Sequence, residues 1–355
     1  MNAKEIKNVE IQGHAIGLDM PPFIVAELSG NHNQSLERAL ALVDAAADCG
    51  ADAIKTQTYT PDSMTLDVRS CVFVINNASS LWNGKSLYEL YQEAMLPWEW
   101  HEAIFQRAKD RGMLAFSTPF DPSAVDFLET LDVPCYKIAS FEMTDRELLE
   151  KVARTGKPVI MSTGMASLAE IAQSVEWLKQ EGCSNLVLLK CVSAYPSKPE
   201  NANLKTIPNM RTTFHAQTGL SDHTLGTAVS VAAVALGATL IEKHFTLSRD
   251  EGSDAAFSLL PDQLALLRKE CDEAWKALGN VSYGVSGEQE SQERKNRRSL
   301  YIVRDKKAGE RLLAEDFRSI RPGWGLSPLY RSQLIGRRLS RDTPRGTPLS
   351  WDLLD

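Results

Sequence analysis

The sequence lacks the features of a secreted, membrane-spanning or nucleic-acid-binding protein. Its six cysteines include no C-x-x-C pair, which argues against a zinc site or a disulfide framework and favours reduced cytoplasmic thiols. Residues 1–14 contain no apolar core of a signal peptide, and the longest apolar run, at 229–241, is too short to span a bilayer. The net charge of −7 argues against nucleic acid as the main partner. We therefore expect a cytoplasmic protein with neither a membrane nor a nucleic-acid partner.

What the chain does contain is a series of short apolar runs that alternate with segments of helical periodicity. Nearly continuous apolar runs are typical of parallel strands buried on both faces. Eight strand–helix units therefore predict a parallel (β/α)8 TIM barrel over residues 1–279, preceded by a small hairpin at its bottom and with an insertion at 60–97. The eight runs are residues 23–28, 53–58, 114–120, 135–140, 158–163, 186–191, 218–223 and 239–245.

The rest of the chain has a different character. Residues 280–298 are polar and aperiodic and are interpreted as a linker, whereas residues 299–355 suggest a small β domain with short strands, Gly and Pro. A weak repeat lies in this domain, because Arg304-Asp305-x₃-Gly309-x₂-Leu312 recurs as Arg341-Asp342-x₃-Gly346-x₂-Leu349. The net charge is +4 from residue 299 onward and −11 before it, which indicates either attraction between the two parts or chance segregation of surface charge.

Polar residues follow or end most of the predicted strands, and TIM barrels carry their active sites at these carboxyl ends. The strand-end residues are Glu27, Asn31, His32, Lys55, Gln57, Ser117, Thr118, Lys137, Ser140, Ser162, Thr163, Lys190, Ser193, Tyr195, Ser221, Asp222, His223, Glu242, Lys243 and His244.

Two histidines stand at the ends of adjacent strands, His223 after the seventh and His244 after the eighth. Their side chains could converge on one point above the barrel. Two neutral imidazoles can hold a divalent metal, with water and substrate oxygen in the other positions. With only two nitrogen ligands, we expect Mn²⁺, Mg²⁺ or Co²⁺ rather than a closed zinc site. The alternative is a pair of ordinary histidines at the barrel rim.

Two lysines, Lys55 and Lys137, lie inside apolar strands, where a buried ammonium group needs a counter-charge. A bound phosphate or carboxylate would supply it. The alternatives are internal pairing with Glu27 or Asp222, and a Schiff-base lysine of the kind found in barrel aldolases. Neutral donors around the anion would be the hydroxyls of Thr118, Ser140, Ser162 and Ser221.

Three further polar residues lie at or just beyond the end of the first strand. Glu27 is a candidate general base or an acceptor for a substrate hydroxyl, or else a salt-bridge partner of a lysine. Asn31 and His32 are expected to cap the helix that follows.

Several motifs together resemble the sialic acid synthase family, which condenses phosphoenolpyruvate with an amino sugar to give a nonulosonic acid. They are FIVAELSGNHNQSLERALALVDAAADCGADAIKTQTY, STPF, YKIAS, MSTGM, GLSDHTLG and IEKHFT. The match covers essentially the whole chain, and SIRPGWG in the tail resembles the antifreeze-like (SAF) β domain of these enzymes. WNGKSLYELYQEAMLPWEWH, GNHNQS and CVSAYPS are similar to the pseudaminic acid synthase branch, and no Asn precedes Tyr195 as it often does in N-acetylneuraminate synthases.

The resemblance implies roles for particular residues. It implies metal binding by His223 and His244, and it implies a domain-swapped homodimer in which Arg321 enters the partner's active site. Glu27, Lys55 and Arg321 are the implied catalytic residues. Phosphoenolpyruvate would contact Lys55, Thr118, Lys137, Ser140, Ser162 and Ser221. The implied partner in the reaction is a diacetamido 6-deoxy sugar, and substrate binding would also involve Gln57, Asn83, Ser193, Tyr195, Asp254 and Arg321.

Three other functions stay open at this stage. The same chemistry on another sugar would make legionaminate or N-acetylneuraminate. A Schiff-base aldolase would use the same fold. A non-enzymatic binding module would take the antifreeze-like tail literally, although nine arginines in the tail argue against an ice-binding surface.

Overall fold

The computed structural model describes residues 6–77 and 82–355, which form two compact units, one ending at Gly279 and the other beginning at Asn280. The first unit opens with an antiparallel hairpin of strands β1 (Val9–Ile11) and β2 (His14–Ile16). Eight parallel strands then close into a barrel in chain order, with the last strand paired to the first. The predicted TIM barrel is confirmed.

Each predicted strand run overlaps one barrel strand, and at least one helix follows each strand. The barrel strands are β3 (Phe23–Glu27), β4 (Ala53–Thr58), β5 (Leu114–Pro119), β6 (Tyr136–Ile138), β7 (Val159–Ser162), β8 (Leu186–Cys191), β9 (Gln217–Ser221) and β10 (Leu240–His244). The helices are α1 (Leu36–Asp48), α2 (Pro61–Met64), α3 (Leu87–Ala94), α4 (His101–Asp110), α5 (Pro122–Thr130), α6 (Arg146–Arg154), α7 (Leu168–Gln180), α8 (Thr206–Phe214), α9 (Ala228–Ala235) and α10 (Pro261–Leu278). In the described part of the chain, no helix has both the length and the apolar character needed to cross a membrane.

The barrel interior is apolar in its lower half. Successive strand residues point to opposite faces, so alternate side chains fill the interior. Val9, Ile11 and Ile16 of the hairpin join this buried cluster, and the hairpin therefore closes the bottom of the barrel as predicted. The barrel members of the cluster are Phe23, Val25, Ala53, Leu114, Phe116, Cys135, Ile160, Val187, Leu189 and Leu240.

Strand β9 lies too close to β10 for a side chain at Gly219. A Cβ atom there would lie 2.2 Å from the carbonyl oxygen of Leu240. Because only glycine lacks this atom, Gly219 allows the close approach of the two strands that lead to His223 and His244.

The insertion after β4 returns to the barrel through specific contacts. Trp98 Nε1 donates a hydrogen bond to the carbonyl oxygen of Tyr59 at 3.1 Å. His101 Nε2 lies 2.8 Å from Thr58 Oγ1, which lies 2.7 Å from Ser117 Oγ. His101, Thr58 and Ser117 are all buried. The end of the insertion is thereby tied to the carboxyl ends of β4 and β5.

The second unit begins with a short helix, α11 (Gly287–Glu293), and a 3₁₀ turn at Arg294–Asn296, both within the segment predicted as a linker. Antiparallel strands β11 (Ser299–Ile302) and β12 (Phe317–Ile320) follow, with a short helix α12 (Arg331–Leu334). The core of the second unit consists of Leu300, Ile302, Leu312, Phe317, Leu334, Leu339, Leu349 and Leu353.

The repeat in the second unit has a structural counterpart. Asp305 Oδ1 accepts a hydrogen bond from the backbone N–H of Arg345 at 2.8 Å, and Asp342 Oδ1 accepts one from Ala308 N–H at 2.9 Å. The two aspartates occupy the same position of the repeat, and so do Ala308 and Arg345. Each copy of the repeat therefore makes the equivalent hydrogen bond to the other, as expected for a pseudo-symmetric β domain.

Candidate active site

The upper half of the barrel interior is polar, and every strand contributes to it. The inward residues are Glu27, Lys55, Gln57, Thr118, Lys137, Ser162, Cys191, Ser221, Glu242 and His244. Strand alternation sends the other polar strand-end residues to the outer side of the barrel. These outward residues are Ser117, Thr163, Lys190, Asp222 and Lys243.

Four charged side chains meet inside the barrel. Lys55 Nζ lies 2.7 Å from Glu27 Oε2 and 3.5 Å from Glu242 Oε1. Lys137 Nζ lies 3.4 Å from the same oxygen of Glu242. Internal pairing, one of the alternatives from the sequence, is therefore confirmed for Lys55 with Glu27. It is wrong for Asp222, which pairs with Lys243 instead.

The charges of these groups are unequally compensated. Burial alone would lower the pKa of Lys55, but the carboxylates of Glu242 and Glu27 raise it above its usual range. Burial lowers the pKa of Lys137, and Glu242 offsets this only in part. Burial would raise the pKa of Glu242, yet Lys137 and Lys55 bring it down to about 2. The positive charge of Lys137 is thus less fully compensated by carboxylates than that of Lys55.

Hydroxyl groups surround the lysines. Thr118 Oγ1 lies 3.3 Å from Lys55 Nζ, and Ser221 Oγ donates to Glu242 Oε1 at 3.1 Å. Ser162 Oγ is buried and has no hydrogen-bond partner among the described residues. A buried hydroxyl without a partner is costly unless a ligand supplies one, so this position favours an acceptor that arrives with a substrate.

The loops after β6, β7 and β8 meet at a glycine. Ser140 Oγ accepts a hydrogen bond from Gly164 N–H at 3.0 Å. A Cβ at Gly164 would lie 2.5 Å from Ser193 Oγ and 2.7 Å from Ser140 Oγ. The two predicted serines are therefore brought together beside a backbone that only glycine accommodates.

The two histidines also meet, as their positions predicted. The His223 and His244 ring centroids lie 5.3 Å apart, and the Tyr195 ring lies 4.4 Å from that of His223. His223 Nδ1 lies 2.9 Å from the carbonyl oxygen of Val192, which can only accept, so Nδ1 carries a proton and the neutral ring has its lone pair on Nε2.

The surroundings of His244 fit a metal ligand. Its Nδ1 is buried without a hydrogen bond in the described part of the chain, and Asp254 Oδ2 lies 3.5 Å from it. A carboxylate beside the second nitrogen is the usual arrangement for a metal-bound histidine. Among the described residues no cluster of three or more His, Cys, Asp or Glu could hold a metal. Metal binding by His223 and His244 stays a prediction.

The residues expected on the sugar side form a connected chain. Gln57 Nε2 donates to Glu27 Oε1 at 3.1 Å and to Ser29 Oγ at 3.1 Å. Ser29 Oγ in turn donates to Asp254 Oδ2. Ser29, which the sequence did not single out, thus links the end of β3 to the loop after β10.

Asn31 and His32 do not cap the following helix, contrary to expectation, because Ser35 is the N-cap of α1. Asn31 is buried, and its Oδ1 accepts a hydrogen bond from Asp254 N–H at 3.2 Å. Its Nδ2 donates to the carbonyl oxygen of Phe245 at 2.9 Å. Asn31 therefore holds the loop that carries Asp254.

Two further residues were missed. Cys191 faces the interior, with its sulfur 3.9 Å from His223 Nδ1. Glu142 follows β6, and one of its carboxylate oxygens is buried with no hydrogen-bond partner within residues 6–77 and 82–355. Burial raises the pKa of Glu142 to about 7. A cysteine in an apolar run resembles a core residue, and Glu142 lies beyond the strand end, so neither gave a signal in the sequence.

Two expected site residues are not part of these contacts. Asn83 lies on an exposed turn at residues 82–84, within the insertion. Arg321 lies in the second unit and is exposed there. Their roles stay predictions.

Comparison with known proteins adds to the geometry. A family model described as the NeuB family matches residues 42–283, and one described as the SAF domain matches residues 297–355. A pseudaminic acid synthase of Campylobacter jejuni is 43% identical over 332 residues, which are 93% of this chain and 96% of the relative. An N,N'-diacetyllegionaminic acid synthase of Legionella pneumophila is 35% identical and covers 96% of each chain.

A solved structure gives the same likeness. The N-acetylneuraminic acid synthetase of Leptospira borgpetersenii, in complex with citrate, aligns with a TM-score of 0.72 at 32% identity. The alignment covers 81% of this chain and 96% of that one.

The closed parallel barrel, with charged groups at the carboxyl ends of its strands, defines an enzyme of the TIM-barrel class. Since the family match spans more than half of the sequence, the chain belongs to the NeuB family and carries a C-terminal SAF domain. It is a phosphoenolpyruvate-dependent nonulosonic acid synthase, as its motifs predicted.

Proposed function

We propose that this enzyme is a pseudaminic acid synthase. It would condense phosphoenolpyruvate with 2,4-diacetamido-2,4,6-trideoxy-L-altrose and water to give pseudaminate and phosphate. The observation that carries the proposal is the 43% identity to a pseudaminic acid synthase over nearly the whole chain, against 35% to a legionaminate synthase of similar coverage. Legionaminate or N-acetylneuraminate synthesis by the same chemistry is the second candidate, favoured by the breadth of that second match.

The anionic substrate would bind at the two buried lysines. Lys137 has the less compensated charge, and the unpartnered Ser162 hydroxyl can donate to a phosphate or carboxylate oxygen. Lys55 contacts the same carboxylate oxygen of Glu242 as Lys137 does. The further donors would be the hydroxyls of Thr118, Ser140 and Ser193, and that of Ser221 once it turns from Glu242 to the anion.

A divalent metal, Mn²⁺, Mg²⁺ or Co²⁺, fits the pair of histidines. His223 would offer Nε2, because Nδ1 is engaged by the Val192 carbonyl. Asp254 beside His244 Nδ1 would orient the second ring. When bound, the metal would act as a Lewis acid that polarises the sugar aldehyde.

The protein's own residues position the two substrates. The reaction forms a bond between C3 of phosphoenolpyruvate and C1 of the open-chain sugar, adds water at C2, and breaks the C2–O bond to phosphate. Glu27, which contacts Gln57 and Lys55, would accept a hydrogen bond or a proton from the sugar. Tyr195 and Asp254 lie against the histidines and would form the remaining contacts. Holding both reactants in this geometry supplies much of the rate enhancement.

A Schiff-base mechanism fits Lys55 poorly. An imine requires a neutral amine, whereas the ion pair with Glu27 keeps Lys55 charged. We expect borohydride with substrate to leave the enzyme active and unlabelled. Covalent trapping of either lysine would contradict this expectation.

We also propose a domain-swapped homodimer in which Arg321 serves the partner's active site. Its planar guanidinium would hydrogen-bond amide or hydroxyl oxygens of the sugar. The support is the family membership together with a basic second unit and an acidic first unit, whose charges are complementary.

Phosphate release tests the choice of sugar. The enzyme is incubated with phosphoenolpyruvate, a divalent metal, and one of three sugars, which are the trideoxy-L-altrose, N-acetylmannosamine and the legionaminate precursor. A pocket for a 6-deoxy sugar leaves the O6 hydroxyl of N-acetylmannosamine unmatched, which costs roughly 1–3 kcal/mol and lowers kcat/KM correspondingly. A higher kcat/KM for N-acetylmannosamine, or for the legionaminate precursor, would overturn the proposal.

A further inference from the structure

The residues that precede the two histidines form a buried ion pair on the outer side of the barrel. Lys243 Nζ lies 3.0 Å from Asp222 Oδ2, and neither side chain is more than 2% exposed. The same ammonium group donates to the carbonyl oxygen of Thr224 at 2.6 Å. One side chain of β10 therefore bonds both residues that flank His223.

The backbone ladder between β9 and β10 ends just below the histidines. In the described chain its last bond runs from Asp222 N–H to the carbonyl oxygen of Glu242 at 2.9 Å. Beyond that bond, the His223 carbonyl accepts from Ser197 N–H at 2.9 Å, in a different loop. The side chain of Lys243 thus continues the connection between the two strands where the backbone ladder stops.

Asp222 gives Lys243 a fixed anchor. Its Oδ1 accepts hydrogen bonds from Thr224 N–H at 2.9 Å and from Thr224 Oγ1 at 2.8 Å. Its Oδ2 accepts from Ser230 Oγ of helix α9 at 2.7 Å, in addition to the contact with Lys243. A carboxylate held by three donors besides the ammonium group has little freedom to move.

We propose that the Asp222–Lys243 pair is a positioning device that sets the separation of the His223 and His244 rings and thereby the affinity for the divalent metal. The inference rests on the proposed function, which assigns both rings to the metal. Stability alone does not require charges at this place, because apolar residues of similar volume often stabilise a buried site equally well or better. What the ion pair adds is a defined geometry across the two strands that carry the ligands.

Binding of Mn²⁺ to the full-length enzyme after removal of its metal tests this inference. Free Mn²⁺ is followed by electron paramagnetic resonance in titrations of wild-type enzyme and the Lys243→Met variant. Loss of a group that supports a metal ligand weakens affinity by about 10- to 100-fold, so we expect an increase of Kd of that size. We also expect kcat at low Mn²⁺ to fall and to recover when Mn²⁺ is raised, which a purely structural defect would not do.

A second ion pair provides the control. Arg268 Nη1 lies 2.7 Å from Asp52 Oδ2, near the amino ends of β3 and β4 and away from the histidines. Arg268→Met also removes a partly buried cation, so it lowers thermal stability. Its Kd for Mn²⁺ should equal that of wild type. If Lys243→Met fails to fold, Asp222→Asn is the milder variant, since its amide oxygen can still accept from Thr224 N–H.

The outcomes separate the two proposals. If His223→Ala binds Mn²⁺ as tightly as wild type, the metal assignment itself fails. If His223→Ala loses the metal while folded Lys243→Met and Asp222→Asn keep the wild-type Kd, the positioning role is overturned and the assignment stands. If Arg268→Met weakens Mn²⁺ binding as much as Lys243→Met, general destabilisation is the cause and the positioning role is likewise overturned.

Discussion

Lys137 Nζ lies 3.4 Å from Glu242 Oε1 inside the barrel, yet the pKa of Lys137 stays below its usual range. Burial is the main cause, and Glu242 divides its charge between Lys137 and Lys55. The positive charge of Lys137 is therefore only partly balanced by Glu242, and a bound anion would balance the rest. This relationship makes Lys137 the lysine whose removal should most affect the binding of phosphoenolpyruvate.

We predict that Lys137→Met raises the KM for phosphoenolpyruvate by about 10- to 100-fold, the value of one charge-assisted hydrogen bond. Steady-state kinetics with phosphoenolpyruvate as the varied substrate measure the effect. Lys190→Met is the matched control, because Lys190 is half-buried on a nearby strand but donates to the Cys191 carbonyl. Equal KM values for both variants and wild type would remove Lys137 from the anion site.

The histidines provide a prediction about the metal. His244→Ala should lose both Mn²⁺ binding and turnover, because the remaining imidazole offers a single nitrogen ligand. Equilibrium dialysis measures bound metal, and phosphate release measures turnover. His215→Asn serves as the control, since His215 is exposed beyond α8 in a left-handed conformation that asparagine tolerates. Near-normal turnover by the metal-stripped wild-type enzyme would contradict the prediction.

The eight strands were predictable because most of them are short runs rich in apolar residues, a pattern that burial on both faces favours, and because segments of helical periodicity separate them. The pairing of the histidines was predictable for a related reason, since the carboxyl ends of adjacent parallel strands lie side by side. Lys55 and Lys243 look alike in the sequence, each within an apolar strand. The period-two alternation separates them, and only the register of the barrel shows which face points inward.

Other parts of the site depend on contacts between distant segments. Asn31 looked like a helix cap because a polar residue follows the strand. Its actual partners, Phe245 and Asp254, lie more than 200 positions away. Glu142 shows the same limit, because its unusual pKa comes from the burial that the folded loop imposes. Neither local pattern nor composition contains this information.

Glu142 leads to a prediction about stability and pH. Burial raises its pKa from an ordinary 4.5 to about 7, with Asp145 adding to the shift and Lys137 opposing it. Between these values the unfolded chain has lost the proton that the folded protein keeps. Wild-type stability therefore falls as pH rises from 4.5 to 7, by up to about 3 kcal/mol from this group. Glu142→Gln cannot ionise and should escape that loss.

Urea denaturation at pH 5 and pH 8 checks the sign. We compare the free energy of unfolding of Glu142→Gln minus that of wild type at each pH. This difference should be larger at pH 8 than at pH 5, because all other titrating groups are shared and cancel in it. The same stability difference at both pH values would show that Glu142 titrates normally.

The last prediction concerns Arg321 and the second unit. Arg321→Ala and His244→Ala should each be nearly inactive as homodimers. If Arg321 acts in the partner's active site, a heterodimer of the two variants has one site with both defects and one site with neither. Mixing and re-equilibrating the two inactive proteins should then restore part of the wild-type rate of phosphate release.

Activity restored by mixing depends on the arrangement of the chains rather than on either side chain alone. If Arg321 acts within its own chain, each site of the heterodimer keeps one defect and no activity returns. Native mass spectrometry establishes that heterodimers have formed, and a mixture of His244→Ala with His223→Ala is the control. Both of these defects lie in the barrel of their own chain, so each heterodimer site keeps one of them and mixing restores nothing. Heterodimers of Arg321→Ala with His244→Ala that remain as inactive as this control would rule out the swapped arrangement.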